Sequence, residues 1–262
     1  MEVKNNIKLI FKYLILNIKK QAQYKISFIL NIIMMIANDA FFIIQWHIIF
    51  SIVPSLGGYG FNEVLLIWSL TAGGFGLSHL FFNGVYNIPD IIYRGKLDVY
   101  LTQPKNLLLN IGCSSTDISA IGDIIYGFIA LIIIGAKFTT WLIYFPLIIC
   151  SAVIITATHI IYASLAFYIK RGDAIASSIN RSMITFGTYP MTIFNSTIKI
   201  ILYSIVPAAV IGFIPSQIIL NFSIYNLLFF VGFAIISTLL AFFVFNKGLK
   251  KYSSGSVMEV RL

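Results

Sequence analysis

Apolar and polar positions along this chain segregate over whole segments rather than alternating residue by residue. Apolar runs of roughly 20 residues or more, enough to cross a bilayer at about 1.5 Å per residue, recur between short polar breaks. The first run covers residues 26–53 and closes at Pro54-Ser55-Leu56-Gly57-Gly58-Tyr59-Gly60, a turn-rich loop without Lys or Arg. A second, over 63–88, carries Gly73-Gly74-Phe75-Gly76 and Ser78, small residues that admit close helix approach, and stops at Pro89-Asp90. A polar interruption follows, then an amphipathic stretch over 107–117 that is expected at the inner surface. The third run covers 118–136, with Lys137 in a short outer turn. The fourth starts near Trp141 and stops at Lys170-Arg171-Gly172-Asp173, a fifth occupies 174–194, and the last occupies 224–245 before Lys247-Gly248-Leu249-Lys250-Lys251. Residues 200–220 are almost wholly apolar yet hold Pro207 and Pro215, which disfavour a straight helix. Either 195–222 dips into the outer leaflet as a re-entrant hairpin, tolerable where protein covers its backbone, or 199–220 is the fifth span and 174–198 is interfacial. Both readings count six spans.

Ahead of the first span, residues 4–20 show a period of about 100° per residue. Lys4, Lys8, Lys12 and Lys19 fall on one narrow stripe, with Ile7, Ile10, Leu14 and Ile18 mostly opposite. This pattern predicts an interfacial helix whose lysines face anionic headgroups. The basic start followed by an apolar run is read as a retained first span, because the run exceeds a leader's apolar core and lacks an A-x-A-like site.

Composition agrees with a membrane protein. Of the 262 residues, 59% are hydrophobic and 10% charged, against about a quarter charged in soluble domains. The net charge of +9 does not point to nucleic acid, because 16 of the 18 Lys and Arg fall on one side of the six-span layout and only Lys137 and Lys199 on the other. The positive-inside rule then puts both termini in the cytoplasm. Cys113 and Cys150 stand apart in apolar surroundings and imply neither a disulfide scaffold nor a metal site. The fold class is therefore all-α: one polytopic membrane domain over 1–262, with an interfacial elbow at 1–25, a cytoplasmic loop at 90–117, an outer hairpin at 195–222 and a cytoplasmic tail at 246–262.

No enzyme is legible. There is no Walker loop, so ATP has no such site here, and there is no His-Glu-x-x-His. The three histidines, His47, His79 and His159, each stand alone in a span, and Ser78 and His79 point about 100° apart on a helix. No catalytic or metal residue is assigned. Intramembrane acids are costly, roughly 2.5–3.5 kcal/mol each at mid-span on the insertion scale, and so they are informative. Asp39 lies near the middle of the first span, beside Asn38 and ahead of Gln45. Asp39 and Gln45 either line a path for cationic or polar cargo or make interhelical hydrogen bonds. Asp123, preceded by Gly122, is read as structural. A proton-coupled carrier finds thin support in two acids and scattered histidines, and a non-transporting immunity or assembly factor is the remaining alternative.

The polar interruption carries the sharpest signal. Arg94-Gly95-Lys96-Leu97-Asp98-Val99-Tyr100-Leu101-Thr102-Gln103-Pro104 resembles the signature of ATP-binding-cassette type-2 permeases, in particular the viologen-exporter-like group. Gly122-Asp123, Tyr189-Pro190, Pro207, Pro215 and the ending Gly248-Leu249-Lys250-Lys251-Tyr252-Ser253-Ser254-Gly255 resemble further family positions, read as structural. Lys96 departs from a commoner Glu and Gln103 from a commoner Arg. The resemblance implies six spans, the elbow helix, and a cytoplasmic coupling helix between spans two and three. It also implies two copies of an ABC ATPase subunit, which would use ATP and Mg while this chain binds no cofactor itself, and a second permease, identical or related. Arg94, Lys96 and Asp98 would make polar contacts to the ATPase, Leu97, Tyr100 and Leu101 would supply the apolar anchor, and Gly95 and Pro104 would fix the turns. The Ile-, Asn- and Lys-rich composition points to a bacterial cytoplasmic membrane.

Overall fold

Long uninterrupted runs of Ile, Leu and Phe fold here as helices, and the turn formers end them. The structure, a computed structural model, describes residues 2–170 and 172–253. Arg171 and residues 254–262, with Ser254, Gly255 and Arg261, lie outside the described residues, as does the side chain of Lys4. The first helices are α1 (Glu2–Ala22) and α2 (Lys25–Ile52), the latter free of Gly and Pro throughout its 28 residues. It ends where Pro54 forces Val53 into extended backbone at φ −116°. Gly57 and Gly58, both at positive φ, turn the outer loop, whose Gly57 carbonyl accepts from Thr192 Oγ1 at 2.7 Å. The Glu63 carboxylate accepts from Gly60 N–H and opens α3 (Phe61–Phe82).

The packing centres on α3, which is the most buried of the long helices. Its glycines are packing surfaces: a Cβ on Gly73 would sit 2.9 Å from Ile148 Cγ2, on Gly74 2.8 Å from Ser151 Cβ, and on Gly76 2.7 Å from Ile124 Cγ1. The first two positions admit α8 (Phe138–Ala163) and the third α7 (Ala120–Ile133). Gly122 plays the same part for α2, with Met35 Cβ where a Cβ would stand.

Past α3 the chain tightens through a 3₁₀ turn at Asn83–Asn87 into three short helices, α4 (Ile88–Tyr93), α5 (Leu97–Leu101) and α6 (Leu107–Cys113). Later come α9 (Gly172–Gly187), α10 (Ser196–Tyr203), a π turn at Ala209–Phe213 running into α11 (Ile214–Leu220), and α12 (Ile224–Leu249). Pro207 lies in the break between α10 and the π turn, and Pro215 falls where the π turn passes into α11. The region 199–220 is therefore not one helix. Among the described residues, four helical segments are long and apolar enough to cross a membrane: Lys25–Ile52, Phe61–Tyr93, Phe138–Phe167 and Ile224–Leu249. The third predicted run is a 14-residue helix and the fifth a 16-residue helix, about 24 Å long against a hydrocarbon core of about 30 Å.

Candidate functional site

Two features stand out: the polar segment between α4 and α6, and a cavity walled by α2, α3, α7 and α9. In the segment, Gly95 at φ +66° reverses the chain, a conformation glycine adopts without Cβ strain. Asp90 receives Arg94 Nε one helical turn on, and Lys96 Nζ at 3.9 Å. These side chains are at least half exposed, so the pairs orient the turn rather than stabilise it. Asn106 caps α6, its Oδ1 accepting from Leu109 N–H at 3.1 Å.

Leu97 is the point at which the segment departs from expectation. It is fully buried among Ile88, Ile91, Ile92, Ala163 and Phe245 of the protein's own core, so it cannot anchor a partner. The apolar surface turned outward is Val99, 62% exposed, and Leu101, 46%, flanked by exposed Arg94, Lys96 and Lys105. Tyr100 packs partly against the core, Pro104 lies in the exposed turn before α6, and Asp98 stands beside Tyr252 of the tail. Burial, together with the Asp98 carboxylate, holds the Tyr252 phenol above its ordinary pKa.

Three ties fix the segment to the rest of the molecule. The Tyr93 hydroxyl donates to Ile169 carbonyl at 3.0 Å and accepts from Gly172 N–H at 3.0 Å, joining α4 to the start of α9. Asn110 donates to Gln103 Oε1 at 2.9 Å and accepts from Tyr13 of α1 at 2.6 Å. Asn17 and Gln21, one and two turns beyond Tyr13, donate to Cys113 carbonyl at 3.0 Å and Thr116 carbonyl at 2.7 Å. The N-terminal helix is thus hydrogen-bonded to the stretch after the segment, a contact its lysine periodicity did not announce. Cys113 is buried at this junction, which pushes its thiol up to about 12.

The cavity holds about 330 Å³. Asn38, Asp39 and Gln45 of α2 face it, with Asp123 of α7, Thr185 of α9 and Thr188 just past its end around them. Asp39 is 3% exposed, and its Oδ2 has no hydrogen-bond partner among the described residues. Asp123 lines the same space, so the two acids that the sequence separates by 84 positions share one site. Aromatic rings complete the wall: Phe42 lies 4.4 Å from Trp68 between centroids, and Trp46 lies 5.5 Å from Tyr189. Pro190 follows Tyr189 and caps the 3₁₀ turn Met191–Ile193.

The cavity also reaches His79 and Asp117. His79 Nδ1 lies 3.0 Å from Phe75 carbonyl, and its ring stacks on Tyr86 at 4.3 Å. The other side of Tyr86 meets His159 at 3.9 Å. Two histidines that stand alone in the sequence therefore flank one tyrosine, an arrangement no local motif reports. His47 packs instead against Phe61 near the outer loop. Among the described residues, no three His, Cys, Asp or Glu side chains group as metal ligands.

A family model described as "ABC-2 family transporter protein" matches residues 33–256. No curated protein and no solved structure matches the chain.

Proposed function

The chain belongs to the ABC-2 family of transporter proteins, and from that premise we propose that it is the membrane-spanning permease subunit of an ATP-driven exporter. The family pairs such permeases with an ABC ATPase, and the observation that supports a docking site here is the segment at Arg94–Lys105. It is a short helix pinned inward by Leu97 that turns Val99, Leu101 and a basic rim away from the core. Two ATPase subunits, fuelled by ATP and Mg, would seat it in a groove, with a second permease completing the assembly in a bacterial cytoplasmic membrane. Six spans with a re-entrant 195–222 fit this reading, as does the viologen-exporter-like subgroup. The cargo would be an amphiphilic compound, peptide or lipid that passes the cavity of Asp39 and Gln45 on its way outward.

The test is co-purification of an ATPase with the tagged protein from detergent. Val99→Asp with Leu101→Asp should abolish co-purification and leave the elution profile unchanged. Leu97→Asp should collapse the fold, since an unpaired charge is forced into the core. Wild-type protein that elutes as one species without any ATPase would overturn the permease reading. The Asp39–Asp123 pair beside His79 favours a second reading, a proton-coupled carrier. That reading requires transport that persists without ATP and stops when the proton gradient is collapsed.

A further inference from the structure

The cavity between α2, α3, α7 and α9 is rich in hydrogen-bond acceptors and poor in donors. Four aliphatic hydroxyls line it, and each gives its proton to the protein. Thr71 donates to Gly187 carbonyl at 2.8 Å, Ser119 to Asp117 Oδ1 at 2.8 Å, Thr185 to Arg181 carbonyl at 3.0 Å and Thr188 to Thr185 carbonyl at 2.9 Å. A hydroxyl whose proton is spent has only lone pairs left for a ligand. His79 behaves alike. A carbonyl only accepts, so Nδ1 carries the proton toward Phe75, and the neutral ring keeps Nε2 as an acceptor. The amides of Asn38 and Gln45 can turn either end inward.

Three acids add charge to those lone pairs. Asp39 is 3% exposed and lines the cavity, and its Oδ2 has no hydrogen-bond partner among the described residues. A buried carboxylate oxygen is costly to leave unmatched, so what enters the space completes it. Asp117 and Asp123 line the same cavity, and its described lining holds no Lys or Arg to answer them. Water can donate to one oxygen but brings no charge. A quaternary ammonium brings the charge but no N–H, and leaves the lone pairs unmatched. A primary ammonium supplies both.

The shape of the wall says what the rest of such a ligand is. Along α2 it is one stripe, Asn38, Asp39, Phe42, Gln45 and Trp46, at the three- and four-residue spacing of a single helix face. Asp39 and Trp46 stand seven residues apart, about 10.5 Å along the axis. An acidic end is thereby set off from an aromatic one, where Phe42 meets Trp68 and Trp46 meets Tyr189. A volume of about 330 Å³ suits a ligand of one ring and a short chain. We infer that the cavity is a binding site for an amphiphilic primary amine, its ammonium at Asp39 and Asp123 and its apolar body toward Trp46 and Tyr189. As the chemical class of the cargo this rests on the permease reading, whereas the site itself does not.

The protein carries its own reporters. Trp46 and Trp68 line the cavity, so Trp141→Phe removes the third tryptophan and leaves two at the site. This variant, purified in detergent, is titrated at neutral pH with 2-phenylethylamine, with its trimethylammonium counterpart and with 2-phenylethanol. The amine should give a saturable change in fluorescence and bind at least about tenfold more tightly than either other probe. Asp39→Asn, close to the native shape, should abolish that preference, and Thr188→Val should weaken amine binding by about three- to tenfold. Asp123→Asn serves as the second charge variant where Asp39→Asn does not elute as one species. Equal affinity for the three probes, tighter binding of the trimethylated one, no saturable change, or a preference that survives both Asn variants would each overturn the inference. ATPase co-purification, scored on the same preparation, separates the two claims. An ATPase without amine preference keeps the permease reading and removes the site. Amine preference in protein that brings down no ATPase keeps the site and removes the permease reading.

Discussion

At Gly84 there is no room for a methyl group. A Cβ there would fall onto the carbonyl oxygen of Ile111 and lie 2.8 Å from that of Gly112, both backbone atoms of α6 that cannot swing aside. Gly84→Ala should push the 3₁₀ turn off α6 and cost about 1–3 kcal/mol, the usual range for overpacking. The thermal midpoint of the detergent-solubilised protein measures this, and an unchanged midpoint would show that the two segments separate freely. Residue-scale roles were unevenly legible in the sequence. A turn at Gly95 was implied by the family resemblance, and the residue stands there at positive φ, which glycine adopts without Cβ strain. The roles of Leu97 and Leu101 were not legible, since their four-residue spacing puts both on one side of a helix. Only the chain reversal at Gly95 and the receiving pocket of Ile88, Ile92 and Phe245 decide that Leu97 turns in and Leu101 out.

At the scale of elements, the connection that matters is Tyr93. Its ring ends α4, and its hydroxyl is shared by Ile169 and Gly172, so the polar segment is tied to the helix that walls the cavity. Any displacement of α4 by a docked ATPase would reach α9 through this oxygen and through the buried cluster in which Ile88, Ile91 and Ile92 join Ala176, with Leu97 and Phe245 as further backing. Tyr93→Phe keeps the ring and removes both hydrogen bonds, leaving Gly172 N–H with its longer bond to Ile169 carbonyl at 3.3 Å, a loss of about 0.5–1.5 kcal/mol per bond. In vesicles reconstituted with the ATPase, the variant complex should still hydrolyse ATP but lose cargo movement per ATP. Equal loss of hydrolysis and transport would mean that Tyr93 only supports the fold. Spans with continuous apolar runs, such as Lys25–Ile52 and Ile224–Leu249, were legible because length and hydropathy alone define them. The boundaries of α9 were not. Its polar stripe dilutes the hydropathy signal, and Arg181, which by charge pattern belongs with the cytoplasmic loops, lies well inside the helix.

On the scale of the whole molecule, the N-terminal helix is tied to the stretch that follows the polar segment. Tyr13, Asn17 and Gln21 hold α1 to the α6 region along one line, while Lys8, Lys12 and Lys19 are exposed on the opposite side. The lysine period announced a helix with one exposed basic side. The polar line was hidden because hydroxyl and amide side chains on an amphipathic helix look like solvated positions until their acceptors, 95–99 positions away, fold beside them. The lysines are free to meet headgroups, and each contributes about 1 kcal/mol near an anionic surface. Replacing Lys8, Lys12 and Lys19 by Gln should therefore weaken the seating of α1 by about 3 kcal/mol in anionic vesicles and by little in zwitterionic ones. Because Asn110 joins Tyr13 to Gln103, the loosened helix should carry the polar segment with it. The measurable outcome is cargo-stimulated ATP hydrolysis that is higher in anionic than in zwitterionic vesicles for the wild type and equal in the two for the triple variant. If the triple variant keeps the full difference, the lipid acts elsewhere and α1 is only a tether.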